Sequence, residues 1–425
     1  MPHRDRPAKA GAARSGRPAP SSAAEPLPRT FWAAAGAGAA LLAASAAAAS
    51  SSALAAYFAR RIVTPERVKA EDQEVLAVQG EGESRRVILR ATAETTVDGE
   101  YSLFFDRGAG HVRLGHLEDY APEESTVTRP VLAEYSGDLT KAVRARWSGF
   151  VYSSPADLGL DFRDIELPLD VGAAPAWLVP ASHPSPTWAI MVHGRGATRG
   201  ECLRALPTAQ ELGLTSLVMS YRNDGEAPST PDGRYGLGMT EWRDVEVAIQ
   251  YALDAGARDV VLFGWSMGGA IALRAADSST LRENVRALVL DAPVVDWVHV
   301  LAFQAKLNRI PSRVGRFGQV LLGHPWGRRL TGLAAPLDFK AMDWVTRAVE
   351  LRTPTLVLHS VDDDFVPVAP SLELAKRNPE MVTLETFRHA RHTKEWNVDP
   401  ERWERAVRTW LREQLAPRRA PGGTV

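Results

Sequence analysis

At 425 residues the chain is too long for one average domain and suits one large unit with a smaller companion. Hydrophobic residues at 45% and charged residues at 24% are ordinary globular proportions, and a formal net charge of −1 offers no field for a nucleic-acid partner. The single cysteine, Cys202, excludes an internal disulfide framework and reads as a small buried hydrophobe on a helix.

Residues 1–30 are rich in Ala, Pro, Ser and Arg without apolar periodicity, and predict a disordered basic tail carrying Arg4, Arg6, Lys9, Arg14, Arg17 and Arg29. Residues 31–59 hold no charge. At about 1.5 Å per residue they are long enough for a bilayer core of about 30 Å. Trp32 and Tyr57 stand near the two ends, and Arg29, Arg60 and Arg61 bound the stretch. The expectation is a single transmembrane helix, a signal anchor at the cell membrane. A signal peptide cleaved near Ala53-Leu54-Ala55 and a low-complexity soluble helix are the alternatives. The basic tail favours an inside N-terminus with the large unit outside.

From 62 to 160 short β-rich segments at 86–89, 101–105 and 111–114 alternate with Asp/Gly turns, predicting a small β-rich domain. About 100 residues are too few for a propeller of several blades of about 40–45 residues each. Nothing in this region suggests chemistry.

From 161 to 415 the rhythm changes. Apolar runs at 164–168, 176–179, 188–192, 215–220, 259–263, 287–290, 355–359 and 382–387 read as buried strands. Helical patterns lie between several of them: Trp242, Val245, Ile249, Ala252 and Leu253 share one face, and Trp403, Val407, Trp410 and Leu411 another. Alternating strands and helices predict a mostly parallel sheet covered on both faces, with ligands at the carboxyl ends of the strands. Residues 416–425 are expected to be a disordered tail.

Residues 258–275, R-D-V-V-L-F-G-W-S-M-G-G-A-I-A-L-R-A, are the most informative stretch. Apolar residues 260–263 break at Gly264, Ser266 stands at the corner, and a helix-forming run follows. Strand, tight turn and helix with serine at the apex is the setting of a nucleophile elbow, in which the backbone N–H of Met267 is one oxyanion donor. Further on, Asp362, Asp363 and Asp364 follow one strand, and His389 and His392 the next. A metal reading of His389-x-x-His392 lacks a third ligand nearby in sequence.

An insertion from about 294 to 352, rich in Trp, Leu, Phe and Val, predicts a small helical cap with helices at 294–307, 314–322 and 339–349. Trp297, Phe303 and Trp326 would then be pocket walls; ordinary packing helices are the alternative. The loop 221–225 follows a strand end and either borders the entrance or makes turn hydrogen bonds.

Four motifs carry a resemblance over roughly 161–415: V-H-G-R-G at 192–196, G-W-S-M-G-G at 264–269, H-S-V-D-D-D-F-V-P at 359–367 and A-R-H-T-K-E-W at 390–396. They resemble the α/β-hydrolase superfamily, and within it the bacterial, often membrane-anchored serine hydrolases of the Bem46-like and serine-aminopeptidase-like groups. The resemblance implies an α/β-hydrolase fold and selects Asp363 as the acid, with Ser360 where the family usually has glycine. It selects His392, through Ala390, as the base, and Arg195 as the second oxyanion donor. The Arg195 side chain is expected to point to solvent, with an acidic substrate as the alternative. The implied activity is acyl transfer to water, on a carboxylic ester or alternatively a peptide or thioester, with no metal or organic cofactor. The implied partner is a small-molecule or peptide acyl substrate, besides the membrane. An inactive fold serving as a binding module at the membrane is the alternative of another class.

Overall fold

The computed structural model describes residues 50–66 and 68–416. The described part begins in a helix, α1, that ends at residue 62. The chain then enters seven strands: β1 (Gln73–Gln79), β2 (Arg86–Arg90), β3 (Tyr101–Phe105), β4 (Gly110–Leu114), β5 (Asp119–Ala121), β6 (Thr126–Ser136) and β7 (Arg144–Ser148). They pair antiparallel in the order β2-β1-β7-β3-β4-β6-β5, and a further pairing of β2 with β6 closes the first six into a ring. Closure leaves only β5 as an edge, and Val87, Leu89, Leu103, Val112, Leu114 and Val127 fill the core.

The second sheet has eight strands: β8 (Arg163–Leu169), β9 (Gly172–Val179), β10 (Thr187–Val192), β11 (Thr215–Met219), β12 (Asp259–Trp265), β13 (Val285–Asp291), β14 (Thr355–Ser360) and β15 (Val382–Phe387). Their order is β15-β14-β13-β12-β10-β11-β9-β8. The six from β15 to β11 run parallel, and β9 and β8 are antiparallel to their neighbours. Burial on both faces explains why the strands from β10 to β14 read as continuous apolar runs.

Helices α2 (Leu206–Glu211), α3 (Trp242–Asp254), α4 (Met267–Ser278), α5 (Trp297–Leu307), α6 (Ser312–Gly323), α7 (Arg328–Thr331), α8 (Ala369–Arg377), α9 (Glu395–Val398) and α10 (Pro400–Leu415) complete the chain. Alternation along each strand sorts the core into two layers. Ile190, Val192, Leu262 and Leu290 face α3 and α4, whereas Met191, Val261, Phe263 and Val289 face Trp403, Val407, Trp410 and Leu411 of α10.

Two expectations need correction. Residues 31–49 of the expected membrane span lie outside the described residues, but its last part is packed protein: Ala55 and Ala59 are each 1% exposed. An uncharged, alanine-rich helix face suits a tight protein contact as well as lipid, because it lets a neighbouring backbone come close. Among the described residues no helix is long and apolar enough to cross a membrane. In the insertion, 339–347 is mostly turns rather than a helix, and only a single 3-10 turn follows at Ala348–Glu350. There the Asp338 side chain accepts from the Lys340 and Ala341 amides, and that of Asp343 from Thr346, so the carboxylates offer the backbone an alternative to helix.

Candidate active site

The elbow owes its shape to two absent side chains. A Cβ on Gly264 would come within 2.6 Å of the Gly268 carbonyl oxygen, and one on Gly268 would collide with the Val192 carbonyl. Ser266 takes φ 51° and ψ −114°, a strained conformation that costs about 1–3 kcal/mol. Its N–H donates to the Asp291 carbonyl (3.0 Å), and its own carbonyl accepts from Val294 (3.1 Å). The turn is thus held from both sides, and the hydroxyl is presented beyond the end of β12.

His392 and Asp363 meet it there. Ser266 Oγ lies 2.8 Å from His392 Nε2, and His392 Nδ1 lies 2.8 Å from Asp363 Oδ2. With a carboxylate on Nδ1, the neutral ring carries its proton on that nitrogen and accepts from the serine hydroxyl at Nε2. Asp363 Oδ1 accepts from the amides of Phe365 (2.8 Å) and Val366 (2.9 Å). Burial pushes the Asp363 carboxyl up, but the His392 charge and hydrogen bonds from His359 and His392 outweigh it and hold it well below the usual range. Burial also disfavours the His392 cation, and the Asp363 charge outweighs that, leaving His392 above its ordinary 6.5.

The neighbours take other places. The His389 amide donates to Asp362 (2.7 Å), and Asp364 forms an ion pair with Arg391 (3.6 Å). Among the described residues no three metal-ligating side chains converge.

The loop 194–196 leaves one amide free. Gly194 N–H donates to Glu201 (2.6 Å) and Gly196 N–H to Asp224 (2.9 Å). Among the described residues the amides of Arg195 and Met267 have no protein acceptor, and Arg195 and Ser266 share one cavity. The Arg195 side chain does not point to solvent. It runs to the end of α1, where Nε donates to Ile62 O (2.8 Å) and Nη2 to Arg61 O (3.0 Å) and Thr64 O (3.3 Å). The last carbonyls of a helix lack intrahelical partners and carry the negative end of its dipole, which explains the attraction.

The cavity measures about 370 Å³ and is lined by Trp297, Val300 and Leu301 of α5, Val314 and Leu322 of α6, and α1 opposite. Trp297 is therefore in the wall, and its Nε1 donates to Leu237 O (2.9 Å). Phe303 and Trp326 are not. Phe303 lies on another face of α5, and Trp326 is 47% exposed, leaning on Phe317 and His324. Phe365, which nothing in the pattern singled out, lines the cavity and stacks on His392.

Sequence reasoning also missed the braces. Glu201 spans from Gly194 to the Thr393 hydroxyl (3.3 Å) and so ties the two site loops together. Behind them, buried Glu395 accepts from Ser360 N–H (2.8 Å), and Asp291 accepts from Trp403 Nε1 (2.7 Å). Burial and the Asp291 charge push the Glu395 carboxyl well up. The β-ring reaches the site through Asn397, whose side chain donates to Glu100 O (2.7 Å) and Gly149 O (2.9 Å) five residues after His392. The β-ring thus braces the histidine loop.

Residues 189–407 match the model of a family described as the alpha/beta hydrolase family, and residues 74–148 match a family described as a domain of unknown function. A comparison with curated proteins gives no match. Among solved structures, the chain is similar to an esterase of Pyrococcus furiosus at 18% identity and a TM-score of 0.48, over 62% of this chain and 94% of that one. Est1E from Butyrivibrio proteoclasticus shares 16% identity at a TM-score of 0.44, over 60% and 99%. A thermophilic esterase from Thermogutta terrifontis shares 20% at a TM-score of 0.41, over 59% and 99%.

Proposed function

The chain belongs to the alpha/beta hydrolase family, and on that footing we propose that it is a serine hydrolase that cleaves carboxylic esters through an acyl-serine intermediate. The observation that carries this reading is the unbroken line of hydrogen bonds from Ser266 through His392 to Asp363, opening on a mainly apolar cavity.

A serine hydroxyl is a weak nucleophile at neutral pH, so His392 Nε2 takes its proton as Oγ attacks the ester carbonyl. Asp363 stabilises the imidazolium and keeps the ring in the tautomer that can accept. The carbonyl oxygen gains negative charge, and the free amides of Arg195 and Met267 donate to it; losing one such donor costs about 3–4 kcal/mol. His392 then gives its proton to the departing alcohol. In the second half the same imidazole takes a proton from water, hydroxide attacks the acyl carbon, and the proton returns to Ser266 as the acid leaves.

A peptidase or thioesterase would use the same groups, but the apolar lining favours an acyl chain over a charged peptide end. Turnover of p-nitrophenyl esters against amino-acid anilides separates these, with ester turnover expected to vanish in Ser266→Ala. A folded wild-type chain that cleaves anilides and not esters would refute the ester assignment. Attachment to the cell membrane through the uncharged stretch before the globular part, with the hydrolase outside, belongs to the same proposal. Alkaline carbonate extraction tests it: retention in the pellet supports attachment, and release refutes it.

A further inference from the structure

The ester reading leaves open what sets acyl-chain length. We propose that α1 is the wall that measures the chain, an inference that rests on that reading. Five of its residues, Ala55, Phe58, Ala59, Arg61 and Ile62, line the cavity that contains Ser266. Ala55 and Ala59 are one turn apart, so they stand one above the other on the same helix face. Facing them, α6 presents Gly315 and Gly318, and a Cβ on Gly318 would come 3.5 Å from the Ala55 carbonyl. The two helices come this close because both sides are nearly without side chains, so added bulk at either alanine intrudes on the space beside them.

The direction of α1 turns this wall into a scale. Its end is held by the Arg195 guanidinium, and the amide of that residue faces the reacting carbonyl in the proposed mechanism. At about 1.5 Å per residue, position 59 lies about 4–5 Å and position 55 about 10 Å from residue 62 along the helix axis. An acyl chain leaving the carbonyl along α1 meets position 59 first and position 55 later. At about 370 Å³ the cavity is near the lower end of the range of about 300–1,000 Å³ for small-molecule pockets, so the chain it holds is of modest length.

The test uses the full chain and p-nitrophenyl esters from acetate to dodecanoate, read as the ratio of kcat/KM for each ester to that for acetate. Ala59→Leu is expected to lower the ratio from a shorter chain onward than Ala55→Leu does, by about fourfold for each methylene excluded from burial. Phe58→Ala removes bulk and is expected to raise the ratio for longer chains. It decides the question if the alanine variants do not fold, as thermal melting will show. Ratios that match wild type in all folded variants overturn the proposal. Should wild type turn over no ester, the hydrolase reading falls alone, and binding decides this one. Calorimetry with octanoate on Ser266→Ala should then show weaker binding when Ala59→Leu is added; equal binding, or none to either chain, overturns it.

Discussion

Replacing Arg195 by alanine removes three hydrogen bonds to helix-end carbonyls but leaves the backbone amide and its flanking ties to Glu201 and Asp224 in place. A hydrogen bond with a charged partner contributes about 1.5–3 kcal/mol net, and partial exposure of the guanidinium puts these at the low end. Loss of a whole oxyanion donor lowers kcat by about 10²–10³-fold, which sets the ceiling for an amide that is loosened rather than lost. The expected fall is therefore about tenfold to a hundredfold in kcat. Because the side chain touches no substrate in this mechanism, KM should change little. The assay is steady-state hydrolysis of p-nitrophenyl acetate, whose acyl group is too short to sense the far wall. Arg195→Lys keeps the charge and some donors, and should recover part of the loss. A folded Arg195→Ala chain with wild-type kcat would refute the role of this tether.

Asp363→Asn should lower kcat by about 10⁴-fold, since an amide can hold the wrong tautomer and cannot stabilise the imidazolium. Activity needs neutral His392, so kcat/KM should fall as the pH drops through a pKa above the ordinary 6.5, and Asp363→Asn should move that limb to lower pH. An unmoved limb in the Asn chain would show that another group titrates. Gly268→Ala drives a methyl group into the Val192 carbonyl and should cost about 3 kcal/mol, read as a lower denaturation midpoint or loss of soluble protein. Glu395→Gln keeps an acceptor for the Ser360 amide and offers Asp291 an amide donor, so it should be close to wild type. Glu395→Ala strands a buried carboxylate and should cost about 3–5 kcal/mol by denaturant unfolding.

The parts legible in the sequence are those whose cause is local. The strands from β10 to β14 show as apolar runs because burial on both faces leaves no polar alternation to blur them. The elbow shows because its glycines, serine and helix are contiguous. What stayed hidden depends on distant partners. The Arg195 side chain finds its acceptors more than 130 residues away, at the end of α1. Glu201, Glu395 and Asn397 read as solvated surface until the fold buries them against site loops. Closure of the β-ring depends on β2 meeting β6, a register no single strand announces. The same limit explains Phe303 and Trp326, since an apolar stripe does not say which of its residues faces the cavity. It also explains the end of the uncharged stretch, where alanine served a protein contact.

The most direct measurement is mapping of a fluorophosphonate adduct on the folded full-length chain by peptide mass spectrometry. We expect one adduct, on Ser266, absent from Ser266→Ala and formed far more slowly in His392→Ala. A folded wild-type chain that takes no label, or takes it at another residue, would contradict the alignment of hydroxyl, imidazole and carboxylate as the working centre.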